Sequence, residues 1–337
     1  MKKPFTMLLT LMLLAVTSFV PAQAAAADDL IITGFFDVTG TYSDGTDDAT
    51  NFALNRLELH FDRKFSEKSA GEVVAAYNSN ASKFELAVAQ FGINLHQSNE
   101  DFVTSATVHG GKFDVPFGID YQVNPSPKRR LAADRPLVTL QTHGSWNDYG
   151  FKFNAESESG NLVIFWVNGF ASSFSTTDTA LALSLGVTVG EEMNTTPANA
   201  IGGRLGVTAV ENFEVGGSWS IGINESGKNE MSLFGADFQY ELNDRLSLKG
   251  EYINHLYNRS YEEGKQNGYY FQSLYSFDKM FLVGRYGSVT REGEEINNRF
   301  TAGIGWIIEE SVGIRFATSF YKDSKDNTNI VQLVAAF

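Results

Sequence analysis

Apolar residues recur at every second position through most of this chain, and no other feature limits its fold so tightly. Leu57, Leu59 and Phe61 alternate with Arg56, Glu58, His60 and Asp62. A period of two belongs to the β-strand, whose successive side chains point to opposite faces. One apolar and one charged face, sustained over about ten residues, marks a strand with lipid on one side and water on the other. The same logic reconciles 27 Phe and 13 Tyr with a mean hydropathy of only −0.17, because polar partners offset the rings along each strand.

Sixteen such segments can be read: 31–42, 52–63, 70–80, 84–95, 102–113, 146–155, 161–171, 200–210, 213–223, 231–242, 246–257, 268–278, 280–290, 299–308, 311–321 and 329–337. Those at 84–95 and 268–290 break parity, as a bulge or a face packed against an inward loop would. Short connections such as 64–69, 156–160, 211–212, 243–245, 278–279 and 309–310 alternate with longer ones at 114–145, 172–199, 224–230, 258–267, 291–298 and 322–328. The expectation is an all-β fold: a transmembrane antiparallel β-barrel of 16 strands with short periplasmic turns and long external loops. The apolar run Ala180–Val189 is assigned to a loop, since one further strand would make the count odd. The last strand ends on an aromatic, with Val331, Leu333, Ala335 and Phe337 on one face, and Phe337 is expected to serve as the assembly signal read by the barrel-assembly machinery.

The N-terminus reads as an export signal. Lys2 and Lys3 precede an apolar stretch, and Ala22-Gln23-Ala24 gives a small-residue cleavage site, with Ala27 as the latest alternative. Residues 1–24 are then a signal peptide and 25–337 a single barrel domain in the outer membrane. Loss of the two lysines takes the formal charge from −14 to −16. So acidic a chain offers no basic face for nucleic acid. It has no cysteine, which excludes disulfides and thiolate ligands.

Sixteen strands leave an aqueous lumen where eight would fill it with side chains. The inward register is expected to carry Arg56, Glu58, His60, Asp62, Glu72, Lys152, Arg204, Lys249, Glu251, Arg299 and Arg315, since each would be costly in lipid. The longest connection, 114–145, is the candidate constriction. Lys128, Arg129, Arg130 and Arg135 fall close together there, with Asp134 the one acid among them. Ion selection needs fixed charge at a narrow point.

Gly111-Lys112-Phe113-Asp114-Val115-Pro116-Phe117-Gly118 followed by that basic stretch resembles the phosphate-selective porin O/P family and related Gram-negative porins. Asn55 to Leu59 and Asp244 to Leu248 are weaker matches. The resemblance implies a sixteen-stranded homotrimer whose third loop folds into the lumen. The inward arginines are scattered among acids, so the expected preference is a weak one for anions rather than a phosphate specificity.

Other chemistry finds little support. His60, His96, His109, His143 and His255 have no metal-ligand spacing, and Ser145 and Ser184 lack a nucleophile-elbow motif. Gly202-Gly203 and Gly216-Gly217 read as strand glycines. Tyr252, Tyr257, Tyr269, Tyr270, Tyr286 and Trp306 are candidates for an interfacial girdle. The chain is therefore expected to be no enzyme, to use no cofactor or metal, and to pass small hydrophilic solutes or anions. Its partners would be outer-membrane lipid and lipopolysaccharide. The alternative is a barrel with a structural or surface-interaction role carried by its external loops.

Overall fold

The computed structural model describes residues 30–43, 51–78, 83–120, 135–144, 146–169, 199–223, 229–259, 262–322 and 327–337. Its strands are β1 (Leu30–Ser43), β2 (Asn51–Ser66), β3 (Ser69–Asn78), β4 (Lys83–Gln97), β5 (Ser105–Asp114), β6 (Asn147–Ser157), β7 (Gly160–Val167) and β8 (Asn199–Val210). They continue as β9 (Phe213–Ile223), β10 (Asn229–Asn243), β11 (Leu246–Arg259), β12 (Glu262–Phe277), β13 (Met280–Arg291), β14 (Glu294–Glu309), β15 (Val312–Tyr321) and β16 (Thr328–Ala336). Each pairs antiparallel with the next, and β16 returns to β1, from Phe35 opposite Ala336 to Ser43 opposite Thr328. The sheet is a closed barrel with no edge.

Closure follows from the surroundings that the outer face requires. Phe91, Phe151, Trp166, Trp219, Phe234, Phe271, Phe300, Trp306 and Phe316 are exposed on the outward register. An apolar band of this extent is stable only against lipid, where an unpaired backbone group costs several kcal/mol. The opposite register holds the polar and charged positions: Asp37 faces Arg56 across β1 and β2, and Asp62 faces Glu72 across β2 and β3. Tyr252, Tyr269, Tyr286 and Trp306 lie exposed on the outward face, as a girdle requires. Tyr270 does not. It is inward and 2% exposed, because the register at Tyr270 pairs with Glu251 on the inner wall. The side chain of Tyr257 lies outside the described residues.

All sixteen segments read from the alternation are strands, but two of the long connections are not loops. β11 and β12 stay paired up to Arg259 opposite Glu262, so only residues 260–261 link them, in place of the expected 258–267. β13 and β14 are joined by Glu292 and Gly293, both at positive φ, in place of 291–298. Two consecutive positive φ angles make the tight turn whose twist suits a hairpin. The physical reason is common to both. Where the strands leave the lipid both faces meet water, so the alternation stops at sequences such as Glu262-Glu263-Gly264-Lys265 while the hydrogen-bond ladder continues. The connection between β4 and β5, residues 98–104, is long for its end of the barrel, where the other links are two residues.

The two parity breaks have different causes. In β4, Val74 faces Val88 and Ala75 faces Leu86, so Ala87 is a bulge, and a second shift falls between Asn94 and His96. Between β12 and β13 the register runs unbroken from Gln266 opposite Arg291 to Phe277 opposite Met280. There the inner face mixes Gln266, Gln272 and Arg285 with Gly268, Tyr270, Gly287 and Val289, and chain from elsewhere covers the apolar part. That chain is the connection after β5, which turns into the barrel at Asp114. β4 consequently loses its β5 partner above Ala89. Its carbonyls at Ala87 and Leu86 are taken instead by Asn147 Nδ2 at 2.8 Å and Lys112 Nζ at 2.6 Å.

Phe337 closes the barrel beyond β16. Its backbone exchanges hydrogen bonds of 2.8 and 2.9 Å with Gly34, and its ring lies over the same glycine, where a Cβ would overlap it. Residues 1–29 and Ala180–Val189 lie outside the described residues.

The two faces predict opposite responses to the same side chain. Leu59→Arg places a cation in lipid near mid-strand and should destabilise the barrel by about 2–4 kcal/mol. His60→Arg, one residue along and facing the lumen, should stay within about 0.5 kcal/mol. Reversible urea unfolding in lipid vesicles measures both, and equal costs would contradict the assignment of faces.

Candidate functional site: the inner wall and the segment folded against it

Residues 114–120, 135–144 and 146 run inside the barrel against β7 to β13. The apolar part of the contact is a cluster of Phe113, Val115, Phe117, Leu137, Val138, Trp146, Phe165, Val167, Ala200, Met231, Leu233, Ile253, Tyr270 and Val289, all buried. A short helix α1 (Leu137–Thr142) lies over β11 to β13. Its approach is close because the wall beneath is glycine: a Cβ at Gly268 would meet Val138, and one at Gly287 would reach Leu137. Gly118, at φ +72°, sits against the Glu251 carboxylate where no side chain would fit. Here the glycine is needed both for its backbone angle and for the close approach.

Polar contacts tie the segment at both ends. Gly118 N–H donates to Ser218 Oγ at 3.0 Å, and Ile119 N–H to Glu251 Oε1 at 3.3 Å. Lys249 Nζ donates to Asp120 Oδ1. On the returning side, Gln266 Nε2 donates to the Gln141 carbonyl at 3.0 Å, and Arg299 Nη2 to the Arg135 carbonyl. Asp120 is buried, which raises a carboxyl, yet the positive charges of Lys249 and Arg285 outweigh that and hold it below its ordinary range. Thr142 Oγ1 donates to the Val138 carbonyl at 2.8 Å and lies 3.1 Å from His143 Nδ1. His143 stacks edge-on to Phe117, and burial, reinforced by Arg135 and His255, pushes it down to about 3.

The wall charges form separate groups. Arg204 lies flat on Gly206 and Gly216, where a Cβ would strike its guanidinium. It binds Asp237 with two hydrogen bonds of 2.6 and 3.1 Å, Glu214 at 2.7 Å and Asn161 at 3.1 Å. Two carboxylates thus neutralise it, so Arg204 adds structure rather than free positive charge. Arg285 donates to Gln272 Oε1 at 2.8 and 3.0 Å, and Arg315 to Gln332 Oε1 at 3.4 Å. On the far wall Arg56 pairs with Glu58, which His60 also contacts at 3.1 Å. Gln90 Nε2 donates to Glu72 at 2.6 Å, and Lys152 lies over the Phe113 ring at 4.8 Å. Asp62 and Glu72 are partly exposed on the same side.

Of the residues singled out from sequence, Arg56, Glu58, His60, Asp62, Lys152, Arg204, Lys249, Glu251, Arg299 and Arg315 share the inward register. Lys249, Glu251 and Arg299 meet the inward segment, whereas Arg204 and Arg315 hold wall residues. Arg135 contributes a backbone carbonyl, while Lys128, Arg129, Arg130 and Asp134 lie outside the described residues. Sequence reading missed Asp120, Asp237, Gln272 and Arg285. Parity could have found Asp237 and Arg285, which share the register of Leu233, Gly235 and Gln239 and of Phe281 and Val283 respectively. Apolar residues on the same face hid the signal. Among the described residues no group of His, Asp and Glu has metal-binding geometry.

No protein-family model matches the sequence, and neither does any curated protein. Solved structures do match in fold. The anion-selective porin from Comamonas acidovorans superposes with a TM-score of 0.65 at 13% identity, covering 91% of this chain and 99% of that one. The outer-membrane channel DcaP of Acinetobacter baumannii gives 0.64 at 9% identity, covering 94% and 99%. OmpF of Salmonella typhi, in complex with daunomycin, gives 0.64 at 11%, covering 91% and 97%. The likeness is one of fold: this chain has the sixteen-stranded porin fold.

His143 supplies a test with a definite sign. A detached segment would protonate near the ordinary 6.5 and the packed one only near 3. Its contribution is therefore complete above about pH 6.5 and is lost as pH falls, by roughly 3 kcal/mol near pH 4.5. Amide exchange over 137–143, corrected for intrinsic rates, should accelerate over that range, and His143→Phe should flatten the slope. An unchanged slope in the variant would assign the effect to another group.

Proposed function

We propose that this protein is an outer-membrane porin through which small hydrophilic solutes and ions diffuse passively, with a weak preference for anions. The observation that carries this reading is the inner face: ionisable side chains recur on the inward register around a closed sixteen-strand wall whose outer face is apolar. Water in the lumen is the setting in which such a wall is least costly. The constriction is assigned to 114–145, the third loop, whose described ends pack against the inner wall. Lys128, Arg129, Arg130 and Arg135, with Asp134, are proposed to supply the preference at that narrow point. That one structural neighbour is an anion-selective porin and another an outer-membrane channel agrees with this reading.

Residues 1–24 direct export and are removed, the barrel-assembly machinery recognises Phe337, and the mature barrel works as a homotrimer among outer-membrane lipid and lipopolysaccharide. It catalyses no reaction. A plugged barrel acting through its loops is the competing reading, favoured by the apolar cluster that fills one side of the interior.

Planar-bilayer recording of the purified protein separates the two. Discrete conductance steps are expected, with a reversal potential on the anion side under a salt gradient. Replacing Lys128, Arg129, Arg130 and Arg135 by glutamine should move that potential toward cations without abolishing the steps. Absence of steps would sink the channel, and a cation-sided potential in the unaltered protein would sink the anion preference.

A further inference from the structure

The outer face of β1 to β5 carries a groove of about 380 Å³, a volume within the roughly 300–1,000 Å³ of small-molecule sites. Its floor is low because three of the outward positions are Gly71, Ala89 and Gly110. Its walls are rings. Phe65 and Phe91 stand 5.8 Å apart, with Phe65 lying over Gly71 where a Cβ would overlap it, and Phe61 borders the other side. Phe65 and Phe91 are both exposed, so the groove opens outward. One cation belongs to this face. Arg63 shares the outward register of Leu59 and Phe61, opposite Leu30 on β1 and Gly71 on β3, just before the short turn at Glu67 and Lys68. Among the described residues no carboxylate pairs with it, and its guanidinium lies 5.8 Å from the Phe65 ring. Glu72 also borders the groove, but its side chain points to the lumen and accepts from Gln90. A guanidinium on a lipid-facing register is tolerated near the interface, and its fork of N–H donors matches a phosphate.

We infer that this groove is a phospholipid site: one acyl chain lies over Gly71, Ala89 and Gly110 between the rings, and the headgroup phosphate sits on Arg63 at the membrane boundary. The groove offers no acid to receive an ammonium, so the site favours an anionic headgroup over a zwitterionic one. Charge complementarity is what selects lipid as the occupant. A second copy of this chain would have to bring an anion to Arg63 and a thin apolar projection to the groove, whereas a phospholipid carries both in one molecule. The inference rests on the reading of the outer face as lipid-facing and gives that reading one specific ligand. It is independent of what the lumen conducts.

Native mass spectrometry of the mature protein, released from micelles holding equal amounts of phosphatidylglycerol and phosphatidylethanolamine, reads the site. The unaltered protein should retain phosphatidylglycerol in preference, at one tight site per chain. Arg63→Gln should weaken that retention by about tenfold, as the loss of a hydrogen bond to a charged group implies. Arg63→Lys keeps the charge and should recover part of it. Ala89→Phe fills the floor while leaving Arg63 in place, and should weaken retention of both lipids. Heat-modifiable mobility on gels checks that each variant is a folded barrel. Equal retention by the unaltered protein and Arg63→Gln overturns the inference, as does equal retention of the two lipids by the unaltered protein. If the variants instead lower the number of chains per particle with bound lipid unchanged, the groove is a contact between copies and the inference fails. Failure of the unaltered protein to float with lipid vesicles would remove the lipid-facing reading itself, a result distinct from loss of selectivity in a barrel that floats.

Discussion

The structure depends on one constraint: backbone N–H and C=O groups in lipid must find partners within the protein. Closure of β16 onto β1 meets it around the wall, and the exceptions are instructive. Where β5 leaves the wall to enter the barrel, β4 would present open carbonyls at Leu86 and Ala87. Lys112 and Asn147 supply side-chain donors there. The chain end is treated likewise, since Phe337 completes the ladder with Gly34 instead of fraying.

The inward segment displaces water from part of the lumen and has to replace what that water did. Leu137 and Val138 cover Gly287 and Gly268, and the buried ions are matched rather than left alone. Arg204 is held by Asp237 and Glu214, and Asp120 by Lys249. A buried pair of this kind adds little net stability, because desolvation offsets much of the attraction, but it fixes geometry firmly. The rest of the inner face, from β1 to β5, keeps partly exposed Arg56, His60, Asp62 and Glu72. The interior is thus divided between a packed side and a polar side.

The barrel was legible in the sequence because lipid and water impose period two along most strands, the exceptions being β4, with its bulge at Ala87, and β12 and β13, whose inner face meets the inward segment. The continued pairing of β11 with β12 up to Arg259 and Glu262, and of β13 with β14 up to Arg291 and Glu294, was not, since alternation marks where lipid ends, not where pairing ends. The site was legible in part. Parity placed Lys249 and Glu251 on the inner face, but Asp120 sits in a connection without periodicity, and its meeting with Lys249 spans 129 residues of sequence. Tyr270 was misplaced because an aromatic beside Tyr269 reads as interfacial until the neighbouring register is known. Gly118 was read as part of a motif, and its role is steric: it makes room for the Glu251 carboxylate.

Both ends of the barrel wall lie on one side of it, with Phe35 opposite Ala336. A wall closed in that way can gain or lose strands only as hairpins, two at a time, so its calibre is quantised. Each step is coarse compared with the size difference between one small solute and the next. Fine adjustment of the aperture is left to a piece of chain that is not in the wall at all, and that piece can change length and sequence without altering a single register around it.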